Sequence, residues 1–477
     1  MPPSTRRALL LGVAALGAWW LVAVPRLSWL APGETWSLTA LYGLCWLPSL
    51  VFVAGHPCRI PLMPLWGLFY FIMFGSGFLN RVTQDELQFA DPDAIRLALR
   101  LATLGAAVCL AMFYTPLGRW AERLVPKVRV SWDVRRAPRL GVLLVVTGLA
   151  ANTLEHRVPL ALAQIILLIK QLATIGTLTL FLLQLRRQLT WPLRLFLWGV
   201  AVPIQVLIGL GSGLLYQVIW ALTPLLLCYA AERRVLPWKA VLLLAICLVP
   251  FSGSAKQEYR RTAWRGEVGE VEVTSSPIQR GLAFIELALR GSFESGSTGY
   301  QEAAAESAQS RASQLGTLVA VIELTPTLVP FWDGETYADF FWSFAPRFLF
   351  PNKPERILGH VFGQRYGFLD PWDEETSYNV AYQVVEMYIN FGTLGVLLGM
   401  ALVGLLYRAL AAYVAHPNTG ERELLIGCVL FTNLLSLESS FSSVFGGAVW
   451  FLVVMSVVLR VLARLDTAEA AAGAEAG

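Results

Sequence analysis

The residues best suited to chemistry fall in one short block, Ala345-Pro-Arg-Phe-Leu-Phe-Pro-Asn-Lys-Pro354. Pro346 and Pro351 restrict the backbone on either side of Arg347, so little entropy is lost when its guanidinium is held in place. A held guanidinium can make two parallel hydrogen bonds to a phosphate or carboxylate. Arg347 is therefore a candidate for gripping an anionic group; its competing role is a structural ion pair or contact with lipid headgroups. Phe340, Phe341, Trp342, Phe344, Phe348 and Phe350 surround it and suit a segment seated at a membrane interface. Just upstream, Pro326-Thr-Leu-Val-Pro-Phe-Trp-Asp-Gly-Glu-Thr-Tyr337 is too rich in breakers to form a long helix.

Both blocks belong to a polar island, residues 253 to about 378, that carries just over half of the acidic residues and eleven of the Lys and Arg. Further candidates stand in or near it. Lys256, Arg260 and Arg261 open the island, and Arg311 precedes an apolar stretch. Arg96 and Arg100 share a helix face at i, i+4, where lipid headgroups are the competing partner. Glu386 sits one to two turns into a later apolar run and is a candidate acceptor for a hydroxyl proton; a pairing with an island Arg is the alternative. Lys170 falls in mid-span, where an ionisable group is costly and so a functional candidate. Within the island, residues 278–290 place Leu282, Ile285 and Leu289 at helical spacing, predicting an amphipathic helix. Residues 313–325 predict a second apolar helix, stopped by Pro326 and lying along the interface. Residues 266–276 are acidic and Val-rich and read as exposed, and residues 294–310, rich in Gly, Ser, Ala and Glu, read as mobile.

The elements that carry these residues are membrane helices. The chain has 477 residues, 56% apolar and only 15% charged, with mean hydropathy +0.57, against roughly 25% charged in soluble domains. Seventeen Trp suit interfacial belts. A spanning helix needs about 20 mostly apolar residues. The expected fold is an all-α polytopic membrane protein with about twelve spans and one large extracytoplasmic loop. The spans lie near 8–30, 37–55, 60–79, 95–115, 139–154, 159–185, 193–210, 213–231, 238–253, 380–412, 422–438 and 443–463. This divides the chain into an N-terminal bundle of about nine spans (1–253), the large loop (254–379), C-terminal spans (380–464) and a disordered tail (465–477). The run after Arg6-Arg7 lacks a small-residue cleavage site and is expected to stay as the first span.

With the N-terminus inside, cytoplasmic segments receive twenty Lys and Arg, and the short external loops receive Arg26, Arg81 and Arg157, with Arg96 and Arg100 at a span's outer end. That bias puts both termini in the cytoplasm and the island outside. A net charge of +4 without a basic, aromatic-studded stripe gives no nucleic-acid surface. Six Cys show no CxxC pattern, and the four His join no Cys or acidic cluster, so no metal site is expected. P-loop, GxSxG, HExxH and kinase signatures are absent.

Taken in order, the island resembles a known family. Lys256-x-x-x-Arg260, Arg311, Thr325-Pro-x-x-Val-Pro-Phe-x-x-Gly-x-Thr-Tyr337, Pro346-Arg-x-Leu-x-Pro-x-Lys-Pro354, Ser377 and Glu386-Met-Tyr-Ile-Asn-Phe-Gly-Thr-Leu-Gly395 look like Wzy-type oligosaccharide repeat-unit polymerases of bacterial surface polysaccharides. The match is strongest over about 254–400. Arg280…Gly291 and Arg356…Gly367 fit an Arg-x10-Gly spacing known in such enzymes, which arises readily among 39 Gly. The resemblance implies a GT-C-like, metal- and cofactor-independent glycosyltransferase in the inner membrane. Donor and acceptor would be undecaprenyl-diphosphate-linked glycans, and a flippase and a chain-length regulator would be partners. On that reading fixed cations stabilise the leaving diphosphate: Arg347, Arg260 and Arg311, helped by Lys256 and Lys353. Tyr337, Arg96 and Arg100 would join the substrate site, with Glu386 as base. A polysaccharide ligase and a non-enzymatic flippase or exporter of lipid-linked sugars remain the alternatives.

Overall fold

In a computed structural model the described residues are 3–55, 58–125, 136–154, 158–159, 162–235, 237–248, 251, 258–259, 262–263, 276–294, 313–343, 345, 349–350, 358–372, 378, 380–416, 420–453, 455–457 and 460. They form helices and no strands. Eight helices are long and apolar enough to cross a membrane. They are α1 (Ser4–Leu27), α2 (Pro32–Val53), α5 (Pro92–Tyr114), α7 (Ala137–Leu154), α8 (Ala163–Leu185), α9 (Trp191–Gly211), α10 (Leu215–Arg233) and α16 (Gln383–Val414). Shorter helices fill the chain order: α3 (Leu62–Phe74), α4 (Arg81–Leu87), α6 (Arg119–Arg123), α11 (Trp238–Leu248), α12 (Pro277–Glu294), α13 (Leu315–Leu324), α14 (Ala338–Trp342), α15 (Leu358–Arg365), α17 (Glu421–Leu434) and α18 (Phe441–Val457).

Among the described residues the expected twelve spans are corrected to eight. Each of the other four apolar runs does form a helix; α3 and α17 fall short of span length, and α11 and α18 run into residues outside the described set. Breakers set several boundaries. Pro92 starts α5 behind Asp91, whose carboxylate accepts from the Asp93 amide, a cap that typically contributes about 1 kcal/mol. The Gly-Ser-Gly run at 211–213 turns the chain from α9 into α10.

One continuous apolar core joins the N-terminal helices, α13, α15, α16 and α17. The island segment that forms α13 is therefore part of the bundle: α13 buries Leu315, Leu318, Val319 and Val321 and packs on α5. That corrects the expectation of an interfacial helix there, because its apolar residues run round the whole helix and find a core on more than one side. Helix α12 forms where amphipathic spacing predicts it, but on a different face. Leu282 and Leu289 are exposed, while Phe284, Leu287 and Ala288 are buried. Gly281 lies against the Leu207 carbonyl so closely that a Cβ would clash, and Phe284 stacks on Tyr259 at 4.7 Å. The close Gly281 contact fixes the buried face of α12.

The two ends of the bundle are marked by charge. At one end Arg186 pairs with Glu232 (2.9 Å) and Glu421 (2.9 Å), and Arg59 joins Glu232 (3.3 Å). Arg408 pairs with Glu122 at 2.6 Å and donates to the Met112 and Thr115 carbonyls. At the other end Arg96 pairs with Glu34 and Asp93, and the Asp91 amide donates to Glu323 at the end of α13. The described island residue Tyr259 and helices α12 and α13 reach this second end.

Candidate functional site

The last long span is broken twice, and the island plugs the breaks. Before Met387 the chain leaves helical geometry at Gln383 and Val384, the latter with φ 64°. It breaks again at Phe391 and Gly392, where Gly392 takes φ 60° and ψ −148°. That region of backbone space is open essentially to glycine alone, and a Cβ there would sit 3.3 Å from the Phe331 ring. Irregular backbone inside a membrane protein persists only where protein or a cavity covers it and satisfies its polar groups. Here the island supplies both. The Trp332 amide donates to the Ile389 carbonyl at 3.0 Å, and the Gly334 amide donates to Asn390 Oδ1 at 2.9 Å.

Glu386 and Asn390 are both fully buried one helical turn apart. The Asn390 amide donates to Thr336 Oγ1 (2.8 Å) and to the Glu386 carbonyl (2.7 Å). Glu386 Oε2 accepts from the Phe441 amide (2.6 Å) at the start of α18, while its Oε1 has no hydrogen-bond partner among the described residues. Ser442 then donates back to the Thr336 carbonyl at 3.0 Å. One carboxyl and one amide thus lock three segments together: the broken span, the island at 332–337 and the head of α18.

Tyr337 closes this cluster on one side, stacked on Phe391 and edge-on to Phe441. Burial, with the Glu386 carboxyl beside it, pushes the Tyr337 phenol well above its ordinary range. Beyond Tyr337, Arg365 lies over the Trp332 ring at 4.0 Å and pairs with Glu335 at 3.4 Å. Below the cluster, Trp66 donates to Gln383 Oε1 (2.9 Å) and Gln383 donates to Tyr407 (3.2 Å), which donates to the Leu434 carbonyl (3.1 Å).

The structure therefore brings Glu386 and Tyr337 together. Arg96 lies at the end of α5 in its own ion pairs, and Arg100 on the same helix is exposed. Arg347, Arg260, Arg311, Lys256 and Lys353 lie outside the described residues, as do Glu155, His156 and Arg157. Among the described residues no group of His, Cys, Asp and Glu is placed to hold a metal ion. Sequence reasoning gave no role to Asn390, Thr336, Ser442 or Arg365. The first carries a visible signal, since Glu386 and Asn390 stand at i, i+4. Ser442 carries none, because its partner is 106 positions away.

No curated protein and no solved structure matches the chain. A family model described as a domain of unknown function, DUF8712, matches residues 66–469. That stretch takes in the island, both breaks of α16 and the head of α18, and the chain belongs to this DUF8712 family.

Proposed function

We propose that the chain polymerises lipid-linked oligosaccharide repeat units at the outer face of a bacterial inner membrane. Support comes from one observation above the rest: the Glu386–Asn390 lock, which fixes where the island segment 332–343 sits against α16 and α18. The Pro346–Pro354 block continues directly from that segment, so its Arg and Lys start from an anchored, aromatic-lined base. An anchored cation suits a leaving diphosphate, because a donor already in place needs no reorganisation as charge develops.

In the proposed reaction a hydroxyl oxygen of the lipid-linked acceptor attacks the anomeric carbon of the donor glycan. The carbon–oxygen bond to the diphosphate breaks, and its electrons leave with the polyprenyl diphosphate. Arg347, with Arg260, Arg311, Lys256 and Lys353, would stabilise that charge. Arg365 adds a further cation to the set. The acceptor proton goes to a base. Glu386 reaches that role only when the layer of Thr336 and Tyr337 lifts; as the cluster stands, its geometry favours positioning. A GT-C-like arrangement and periplasmic placement of the island are part of this proposal. So is cooperation with a flippase and a chain-length regulator.

The competing exporter reading takes its support from a polar cavity around Lys170. The two separate in a cell whose surface polysaccharide depends on this protein. With wild type giving a ladder, Arg347→Ala is expected to leave single repeat units, and Arg347→Lys to give shortened chains, both at normal membrane expression. Long polymer retained on its lipid carrier would mean a ligase. A normal ladder from Arg347→Ala would overturn the assignment of Arg347.

A further inference from the structure

A patch of positive charge surrounds the turn from α8 into α9, at the end of the bundle marked by Arg186, Glu232 and Glu421. The two glutamates there are already balanced, Glu232 by Arg59 and Arg186, and Glu421 by Arg186. Three further arginines stand exposed around the turn. Arg187 follows the end of α8 with φ 61°. Arg194 closes the first turn of α9, its amide donating to the Thr190 carbonyl at 3.0 Å. Arg233 is the last residue of α10. Two of the three are tied to the turn itself: Arg233 Nη2 donates to the Leu185 carbonyl at 2.8 Å, and Arg194 Nε donates to the Leu189 carbonyl at 3.1 Å. Those carbonyls are neutral and take one N–H each, so both guanidiniums keep their charge and most of their donors. Among the described residues no carboxylate pairs with Arg187, Arg194 or Arg233.

The fold accounts for only part of this charge. Arg187 and Arg233 stand at helix C-termini, where a dipole of about half a charge favours a cation. Arg194 stands at a helix N-terminus, where the same dipole opposes one. An anion beside Arg194 removes that conflict, since it is favoured by the helix end and by the guanidinium together. Next to the charge lies a surface for acyl chains. Trp191, Leu195 and Trp198 stand at i, i+4 and i+7 of α9, exposed at 73%, 60% and 48%, with Arg194 beside them on the same side of the helix. Trp198 is fixed against α8: its Nε1 donates to Gln184 Oε1 at 2.9 Å, and its ring meets Phe181 edge-on. On a spanning helix such a face meets lipid, and Trp marks headgroup depth. A guanidinium grips phosphate through two parallel hydrogen bonds, and three of them around one turn exceed what a single phosphate needs.

We propose that the α8–α9 turn binds a phospholipid whose headgroup carries two phosphates, held by Arg187, Arg194 and Arg233, with its acyl chains along Trp191, Leu195 and Trp198. The site concerns binding alone and stands whether or not the chain is a polymerase.

The test uses the full-length protein in neutral detergent and counts bound lipid by native mass spectrometry. Cardiolipin, phosphatidylglycerol and phosphatidylcholine are the probes. Cardiolipin is expected to bind about tenfold tighter than phosphatidylglycerol, with phosphatidylcholine weaker still. Arg194→Met and Arg233→Met should each weaken cardiolipin about fivefold. Arg7→Met should leave it unchanged. Arg7 is also exposed and lies at the same end, since Ser4 donates to the Ala54 carbonyl just before Arg59, so it reports diffuse attraction alone. Variants are accepted when their Tm matches wild type. If Arg194→Met or Arg233→Met does not fold, Arg187→Met decides, because that guanidinium makes no hydrogen bond among the described residues. Equal binding of cardiolipin and phosphatidylglycerol, or equal losses in Arg194→Met and Arg7→Met, would overturn the site. Displacement of cardiolipin by inorganic phosphate at equal concentration would overturn a lipid as its occupant.

Discussion

At the scale of the residue, Glu386 makes the sharpest claim. Its carboxyl holds the Phe441 amide, and its own carbonyl holds Asn390, so it acts on the site through the segments it joins. A glutamine keeps an oxygen for the Phe441 amide but has no capacity to take a proton. Glu386→Gln is therefore expected to keep most polymer output, while Glu386→Ala leaves a buried amide unpaired, costing about 1–3 kcal/mol, and loses output at least tenfold. Polysaccharide gels with matched expression check both. Were Glu386 the base in the chemical step, the Gln variant would instead fall by roughly 10²–10⁴. Glu386 is picked out in the sequence by being acidic in an apolar run, and Asn390 by standing one turn on. Their partners are not legible there, because Thr336 and Ser442 are ordinary polar residues until tertiary structure brings them within reach.

At the scale of the element, the breaks in α16 matter more than its length. Hydropathy reads 380–412 as one uninterrupted span, since neither Phe391 nor a single Gly disturbs an apolar average. What the average misses is the backbone geometry at Gly392. Gly392→Ala is expected to cost about 1–3 kcal/mol from backbone strain, added to crowding against Phe331. The purified protein should then melt measurably lower. Gly33→Ala, at the start of α2 with open space around its Cβ position, should not shift the Tm. The same limit explains the other element-level differences. Periodicity predicts that 278–290 is a helix but not which face is buried, because that choice is made by Gly281 lying against Leu207.

At the scale of the whole molecule, the charged residues sort to two ends. The sequence bias in Lys and Arg predicts which end faces the cytoplasm, and contacts group the same residues: Arg59, Arg186 and Arg408 share one end, Arg96 the other. In a chain with its six cysteines replaced, Phe89→Cys should react with a membrane-impermeant maleimide added outside intact cells. Gln188→Cys should react only after the membrane is opened. Both positions are exposed, Phe89 at 92%. The reverse pattern would invert the orientation and remove the island from the outer face. Composition was enough for the membrane class, and apolar runs were enough to find every long helix. Span count was not, because α3 and α17 are apolar without being long, and only neighbouring helices determine how such pieces are accommodated.

The lock between 332–337, Asn390 and Phe441 also sets an order of events during synthesis. Residues 332–337 leave the ribosome well before the two partners that seat them. Until α16 and α18 have entered the membrane, the Gly334 amide and the Thr336 hydroxyl lack the groups that fix them in the finished protein. The segment 332–337 thus gains its final contacts only after α18 has been made. A site built this way would stay unformed, and so silent, until α18 had been translated and inserted.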